Sequence, residues 1–485
     1  MEYVWYGLLL VFGIFVIFLS IALIRAIWIE KEPIPYVKKP IDEVLQLQYG
    51  KSLSEMIQVP TVSHRDQVHR ELFEQLQNVM INQFPTLYEH TTHQVFDNGA
   101  LVWIWKGKDS SIAPLVLMAH QDVVPADEAL WKHPPFGGVI EDGVIYGRGT
   151  MDTKNTLFAI FQAGEEWVKQ SFVPASDIYF CSSADEEVSG GGARATVEWL
   201  KELGIRPGMV LDEGGAVVTG ALPSSKMPLA LIGVLEKGYV NLKISAQSSG
   251  GHASMPPKNT PIARLAKFVT HIEKKYPLKT KMIPEVKQLF EKAAPSMKLP
   301  YRFLFGNMWL FKGLLTKLLP VISPYGRAML STTMAFTMME GSKAENVIPF
   351  EAFILCNVRT HPIQGIQSTL EALAPIAKKY QVKIEALNGR EASPTTSTSS
   401  FGYQFLSKAI QVVYPESLVT PYIMLGGTDS REYTDISDCV LRFSPMRATN
   451  EELKKIHGID ESISLHVLAE SVQFYKYIIE HYESN

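Results

Sequence analysis

The sequence predicts an α/β fold around a mostly parallel central sheet, with a transmembrane helix ahead of it. Three observations predict this class. Short apolar runs alternate with amphipathic stretches along most of the 485 residues, the pattern of strands joined by helical crossovers. The first thirty residues differ in composition from everything after them. Several apolar runs end abruptly in His, Asp or Glu, and open sheets of this kind bind ligands outside the carboxyl ends of their strands.

Residues 3–24 carry no charge and are rich in Leu, Ile, Val and Phe. About 20 apolar residues cross a bilayer as a helix, so the segment is long enough. Trp5 and Tyr6 at one end and Trp28 at the other suit interfacial anchors. A cleaved signal peptide is the rival reading. It is disfavoured because MEYVWYG lacks Lys and Arg, and Ser20/Ala22 make only a weak cleavage site. A retained single-pass anchor is therefore expected. Arg25, Lys31, Lys38 and Lys39 follow the run, which by the positive-inside rule places the body in the cytoplasm. That rule weakens before a long domain, and no N-x-[ST] sequon marks an ectodomain, so the side of the membrane stays open.

The remaining composition, 46% hydrophobic and 20% charged overall, suits a globular body of two or more domains. A net charge of −4 gives no nucleic-acid surface. Cys181 and Cys356 lie in apolar runs, and with Cys439 they form no CxxC pair, which excludes a thiolate zinc finger.

Past the proline-punctuated stalk EKEPIPYVKKP, strands are expected at LVWIW, PLVLMAH, DIYFCSS and GMVLDEG. Helices are expected from Thr153 and from Gly192. His120 and Asp122 end the PLVLMAH run. Asp152 opens the Thr153 helix, Glu186 and Glu187 follow DIYFCSS, and Asp212 ends GMVL. Each alone has a bland account: a satisfied loop histidine, a helix cap, a solvated charge cluster, a turn residue. Their joint arrival at one rim is harder to dismiss. Clustered carboxylates repel, and burying them is costly unless a cation lies between them.

The blocks MAHQDVVP, GVIYGRGTMDTKN, SADEEVSGGGA, SSGGHASMPP, ENVIP, NVRTHP, GGTDSR and IHGIDESIS occur in this order. Together they resemble the signature blocks of the co-catalytic zinc amidohydrolases, metallopeptidase family 20 of clan MH. The likeness is strongest to the carboxypeptidase S and N-fatty-acyl-amino-acid synthase/hydrolase branch. The resemblance implies a zinc-peptidase-type catalytic domain and two zinc ions. His120, Asp152 and Asp212 would hold one ion, and Asp152, Glu187 and His457 the other, with Asp152 bridging. Such an oxygen and imidazole set suits zinc, though manganese or cobalt could substitute. Glu186 would be the general base. Asp122 would accept the other N–H of His120 and fix the imidazole's tautomer.

Within residues 236–389, YVNLKISA, STTMAFTMM and EAFILCNV read as strands and 261–274 and 364–379 as helices. The resemblance makes this an inserted α/β sandwich, a lid that often mediates a homodimer. The expected layout is anchor and stalk 1–39, catalytic segments 40–235 and 390–485, and lid 236–389. By the same resemblance His252 would donate to an oxyanion, often across a dimer interface. Asn346 and Arg359 would hold a substrate carboxylate, and Gly426, Gly427 and Ser430 would shape the wall facing it. The apolar stretch 299–324 has two readings: helix packing within the lid, or an acyl-chain groove or membrane-facing surface. The expected activity is hydrolysis, or formation, of an amide bond beside a free carboxylate, on N-acyl-amino acids or peptide C-termini. A peptidase without lipid preference and a catalytically silent membrane-tethered binding protein are the alternatives.

Overall fold

The computed structural model describes residues 2–37, 40–65 and 69–483. Lys38 and Lys39, two of the charges in the orientation argument, lie outside the described residues. The charge-free run forms one helix, Glu2–Trp28.

The main sheet has ten strands. All four expected strands are present in it, at Leu101–Trp105, Leu115–Met118, Ile178–Ser182 and Met209–Asp212. The last three run parallel to one another, with Val440–Arg442 parallel beyond them. They are buried along their whole length, as the continuous apolar runs require. The sheet as a whole is mixed, not mostly parallel. Thr91–Val95 and Leu101–Trp105 form an antiparallel ribbon on one edge, and Leu229–Glu236 pairs antiparallel with Val440–Arg442 and Val217–Thr219. Short connections join Thr91–Val95 to Leu101–Trp105 and Val217–Thr219 to Leu229–Glu236, so no crossover helix forces those two pairs parallel.

Lys154–Lys169 and Leu465–His481 pack together against this sheet, and both bury long apolar faces. The carboxyl ends of Leu115–Met118, Ile178–Ser182 and Met209–Asp212 therefore open on the same rim, next to the amino end of Lys154–Lys169.

A second sheet, in the order Thr333–Glu340, Glu351–Thr360, Gly238–Gln247, Lys383–Arg390, is wholly antiparallel. The helices Pro261–Lys274 and Ile366–Tyr380 cover it, and this two-layer unit has its own core around Leu242, Ile244, Phe268, Ile354 and Leu373. The unit is smaller than the span 236–389. Met282, Val286, Phe290, Phe305, Met308, Leu315 and Leu330 join the core of the main sheet instead. The helices Pro284–Ala293, Leu299–Phe305, Met308–Ile322 and Pro324–Leu330 thus belong to the larger body. The stretch 299–324 accordingly does not pack within the smaller unit.

Candidate active site

His120 leaves the strand Leu115–Met118 and is almost wholly buried. Its Nε2 lies 3.0 Å from Asp152 Oδ1 and 3.4 Å from Glu213 Oε1. The other oxygen, Asp152 Oδ2, is 3.1 Å from His457 Nε2, which is also 3.1 Å from Glu187. Two groups result, His120–Asp152–Glu213 and Asp152–Glu187–His457, whose donor atoms lie within 4.8 Å of one another in each group. Asp152 belongs to both and turns one oxygen to each.

Four of the five ligand positions expected from the sequence are thus brought together; Asp212 is not. The parity of a strand explains the difference. Asp212 is the last residue of Met209–Asp212, and successive side chains point to opposite faces. The Asp212 carboxylate accepts from its neighbour's amide, Glu213 N, at 2.8 Å and from Ser430 N at 2.9 Å. Glu213, one place on, is the residue that reaches His120. Its signal was visible as the second acid of LDEGG.

Asp122 acts more broadly than expected. The His120 Nδ1 is closer to the Asp122 carbonyl, at 2.9 Å, than to its carboxylate, at 3.3 Å. The two carboxylate oxygens each accept one backbone N–H at 3.1 Å, from Glu186 and from Glu187. One buried side chain thus steadies the imidazole and the turn that carries both glutamates. Asp122→Asn replaces one acceptor with an NH₂ that must face a backbone N–H. We expect catalysis or metal affinity to fall about 10–100-fold; unchanged kinetics would reduce Asp122 to a loop residue.

Asp152 is held by a residue the sequence reading passed over. Glu461, fully buried in the block IHGIDESIS, accepts from the backbone amides of Gly149, Met151 and Asp152 and pairs with Arg148 at 2.7 Å. His457, four residues earlier, adopts φ +60°, a left-handed backbone that side chains tolerate only where the surroundings enforce it.

The electrostatics test whether these groups suit a cation. Burial, then repulsion from Asp152, pushes the Glu213 carboxyl up to about 8. Burial also pushes Glu186 well above the carboxylate range, with Glu213, Asp429 and Glu187 adding repulsion against the pull of His120. Burial opposes the charge on Asp152 too, but His120 and His457 outweigh it and hold the carboxyl low. His457 is pushed up to about 10 by Asp152 and Glu187. Four acids crowd two imidazoles, and burial with mutual repulsion makes two of those acids resist ionising. A divalent cation between them relieves that repulsion, and carboxylate with imidazole is a donor set that binds such ions. The residues fit.

Glu186, Glu187 and His457 open into a cavity of about 280 Å³. Arg359, Arg390, Arg431 and Tyr239 line it too, and Gly426, Gly427 and Asp429 complete the wall. Arg390 is paired with Glu432, and Arg431 approaches Glu236 at 3.6 Å. Arg359 touches Asn357 Oδ1 at 3.2 Å, lies over the Tyr239 ring, and has no carboxylate partner among the described residues. Arg390 and Arg431 were not singled out in the sequence, although Arg431 ends the block GGTDSR. Ser430 does not line the cavity; it is fully buried and donates to Asp212. His252 and Asn346 also lie outside it. They sit on the exposed ribbon of Gly251–His252 and Val347–Ile348, where Ala253 N donates to the Asn346 carbonyl.

A cavity lined by metal-suited acids and a histidine together with three arginines fits a class, the metal-dependent amide hydrolases. Residues 116–481 match the sequence family described as Peptidase family M20/M25/M40. The chain belongs to that family and is a metallopeptidase/amidohydrolase. It is 34% identical to an N-fatty-acyl-amino acid synthase/hydrolase PM20D1 of Xenopus tropicalis, over 90% of this chain and 86% of that one. It is 35% identical to a probable carboxypeptidase S-like 2 of Dictyostelium discoideum, over 82% and 78%. Among solved structures it resembles the M20 family metallo-carboxypeptidase Sso-CP2 of Sulfolobus solfataricus, with TM-score 0.67, 18% identity and coverage of 90% and 99%. Human carnosine dipeptidase 1 superposes with TM-score 0.61 at 16% identity, over 90% and 97%.

Proposed function

We propose that the protein is a di-zinc amidohydrolase that cleaves, or in reverse forms, an amide bond beside a free carboxylate. N-acyl-amino acids or peptide C-termini are its substrates. The observation that carries this reading is one cavity holding both Glu186, beside the two ligand groups, and Arg359, whose guanidinium has no ion-pair partner among the described residues.

Two zinc ions, held by His120, Asp152 and Glu213 and by Asp152, Glu187 and His457, would supply Lewis acidity and acidify water. Every other part belongs to the chain. Glu186, half-buried on the cavity wall, takes a proton from the attacking water and returns it to the departing amine nitrogen. Asp122 holds the Glu186 amide, so the base keeps its position through both transfers. Arg359 offers a planar fork to the α-carboxylate of the leaving amino acid and sets the distance between that group and the scissile carbonyl. Tyr239 and the Gly426–Gly427 wall leave room for the chain between them. His252 and Asn346, on their exposed ribbon, would complete the site of a second copy of the chain in a homodimer through the smaller, lid-like unit.

The carboxylate requirement is tested with matched substrates. For the native enzyme, kcat/KM on an acyl amino acid should exceed that on its amide by about 10–100-fold, the range of a charge-assisted hydrogen bond. Arg359→Gln should abolish the difference. Equal cleavage of acid and amide by the native enzyme would remove Arg359 from the site.

A long acyl group is the preferred form of the substrate. The support is the similarity to a protein named as an N-fatty-acyl-amino acid synthase/hydrolase, together with the apolar N-terminal helix. Each buried methylene adds up to about 0.8 kcal/mol, so kcat/KM should climb from acetyl to octanoyl to oleoyl amino acids. A flat series would favour the second reading, a carboxypeptidase or dipeptidase, which the carboxypeptidase S-like relative supports. The helix Glu2–Trp28 is a retained membrane anchor in this reading.

A further inference from the structure

Resting on the reading of the N-terminal helix as a retained anchor, we propose that the helix Met308–Ile322 lies in the lipid bilayer beside it and is a second membrane-contacting element.

The anchor docks on the body through its last two turns. Ala22 and Ala26 are fully buried, one turn apart on a helix whose other side chains are nearly all exposed. Small residues at this spacing let another backbone come close. The partner is the segment from Leu299 onward. Asn307 Nδ2 donates to the Ala22 carbonyl at 2.9 Å, the Phe18 and Trp309 rings meet edge to face at 5.7 Å, and Arg302 pairs with Glu30 at 2.7 Å. Arg302 and Asn307 are themselves buried. Removing the helix would take the Ala22 carbonyl from the buried Asn307 amide, which favours an anchor over a discarded leader.

Length then decides how far the membrane reaches. Residues 3–17, ahead of the docked part, extend only about 22 Å at ~1.5 Å per residue. A hydrocarbon core is roughly 30 Å thick. The span is complete only if the core also covers the turns that carry Phe18 and Ala22, and those turns touch Trp309 and Asn307. The bilayer must therefore reach the start of Met308–Ile322.

That helix is built to meet it. Met308, Leu315 and Leu319 face the protein core. Leu314, Leu318, Val321 and Ile322 form a second apolar stripe, at i, i+4, i+7 and i+8, and all four are exposed, Val321 by 77% and Ile322 by 63%. A helix apolar on both faces is at home in a core or a membrane, and this second face is exposed among the described residues. Lys312 and Lys317 are exposed on the same helix and long enough to carry their ammonium groups to a headgroup layer. Beyond it, Tyr325 Oη meets Tyr422 Oη at 3.1 Å, in the strand Leu418–Met424 that leads into the Gly426–Gly427 wall. The lipid-facing element is thus tied to the strand that runs into the cavity.

The three native cysteines are buried, so a single introduced cysteine can be labelled selectively. The full chain would be reconstituted into phosphatidylcholine/phosphatidylglycerol vesicles. A polarity-sensitive fluorophore would be placed at Leu318→Cys or Val321→Cys, at Ile14→Cys in the anchor, and at Leu203→Cys on the far body. Labels at 318 and 321 should shift to the blue and lose emission to lipids brominated near the headgroup end of the acyl chain. The label at 14 should respond to deep bromines, and the label at 203 to none. Quenching at 14 with labels at 318 and 321 behaving like that at 203 overturns the proposal while the anchor stands. No quenching at 14 overturns both.

Discussion

Replacing Glu186 with glutamine is expected to lower kcat by about 100- to 10,000-fold while leaving metal content unchanged. The neutral amide cannot accept the proton of the attacking water, and the side chain belongs to neither ligand group. Its backbone N–H stays bonded to Asp122, so the turn keeps its shape. Glu187→Gln should behave differently, because that side chain faces His457 and Asp152 from the second ligand group. It should lose metal together with activity. The comparison is read by metal analysis and initial rates on the same preparations. Metal loss in the first variant and retention in the second would reverse the two roles.

The second large effect is expected at Asp152. Each of its oxygens faces a different histidine, so Asp152→Asn should deprive both ligand groups at once and leave hydrolysis undetectable. Glu213→Gln should lose one ion only, from the group around His120. Asp212→Asn should keep both, since that carboxylate accepts from Glu213 N and Ser430 N instead of facing a histidine. Metal content per chain separates the three variants. Loss in Asp212→Asn with retention in Glu213→Gln would restore the assignment that the motif alone suggests.

That slip between Asp212 and Glu213 shows where sequence legibility ends. A strand's end can be read from its apolar run, and the runs at Leu115–Met118, Ile178–Ser182 and Met209–Asp212 placed His120, Glu186, Glu187 and the LDEGG acids on one rim. Which of two adjacent acids faces the rim depends on parity within the last turn of the backbone, and composition does not encode it. Glu461 and the second task of Asp122 were opaque for a related reason. Their work is to accept backbone N–H groups from Glu186, Glu187, Gly149, Met151 and Asp152, and no side-chain pattern announces such bonds. The smaller unit's boundary was missed because apolar residues between 282 and 330 have the same spacing whichever core they join. The mixed sheet was hidden because Val217–Thr219 and Val440–Arg442, three residues each, are too short to reveal their direction.

Metal held by His120, Asp152, Glu187, Glu213 and His457 is central to the proposed activity. The most direct measurement is amide hydrolysis by the full-length protein on an N-acyl-amino acid, before and after exhaustive chelation and after adding back zinc. Activity should vanish with the metal and return as about two equivalents of zinc per chain are restored. Full activity in protein shown to be metal-free would contradict it.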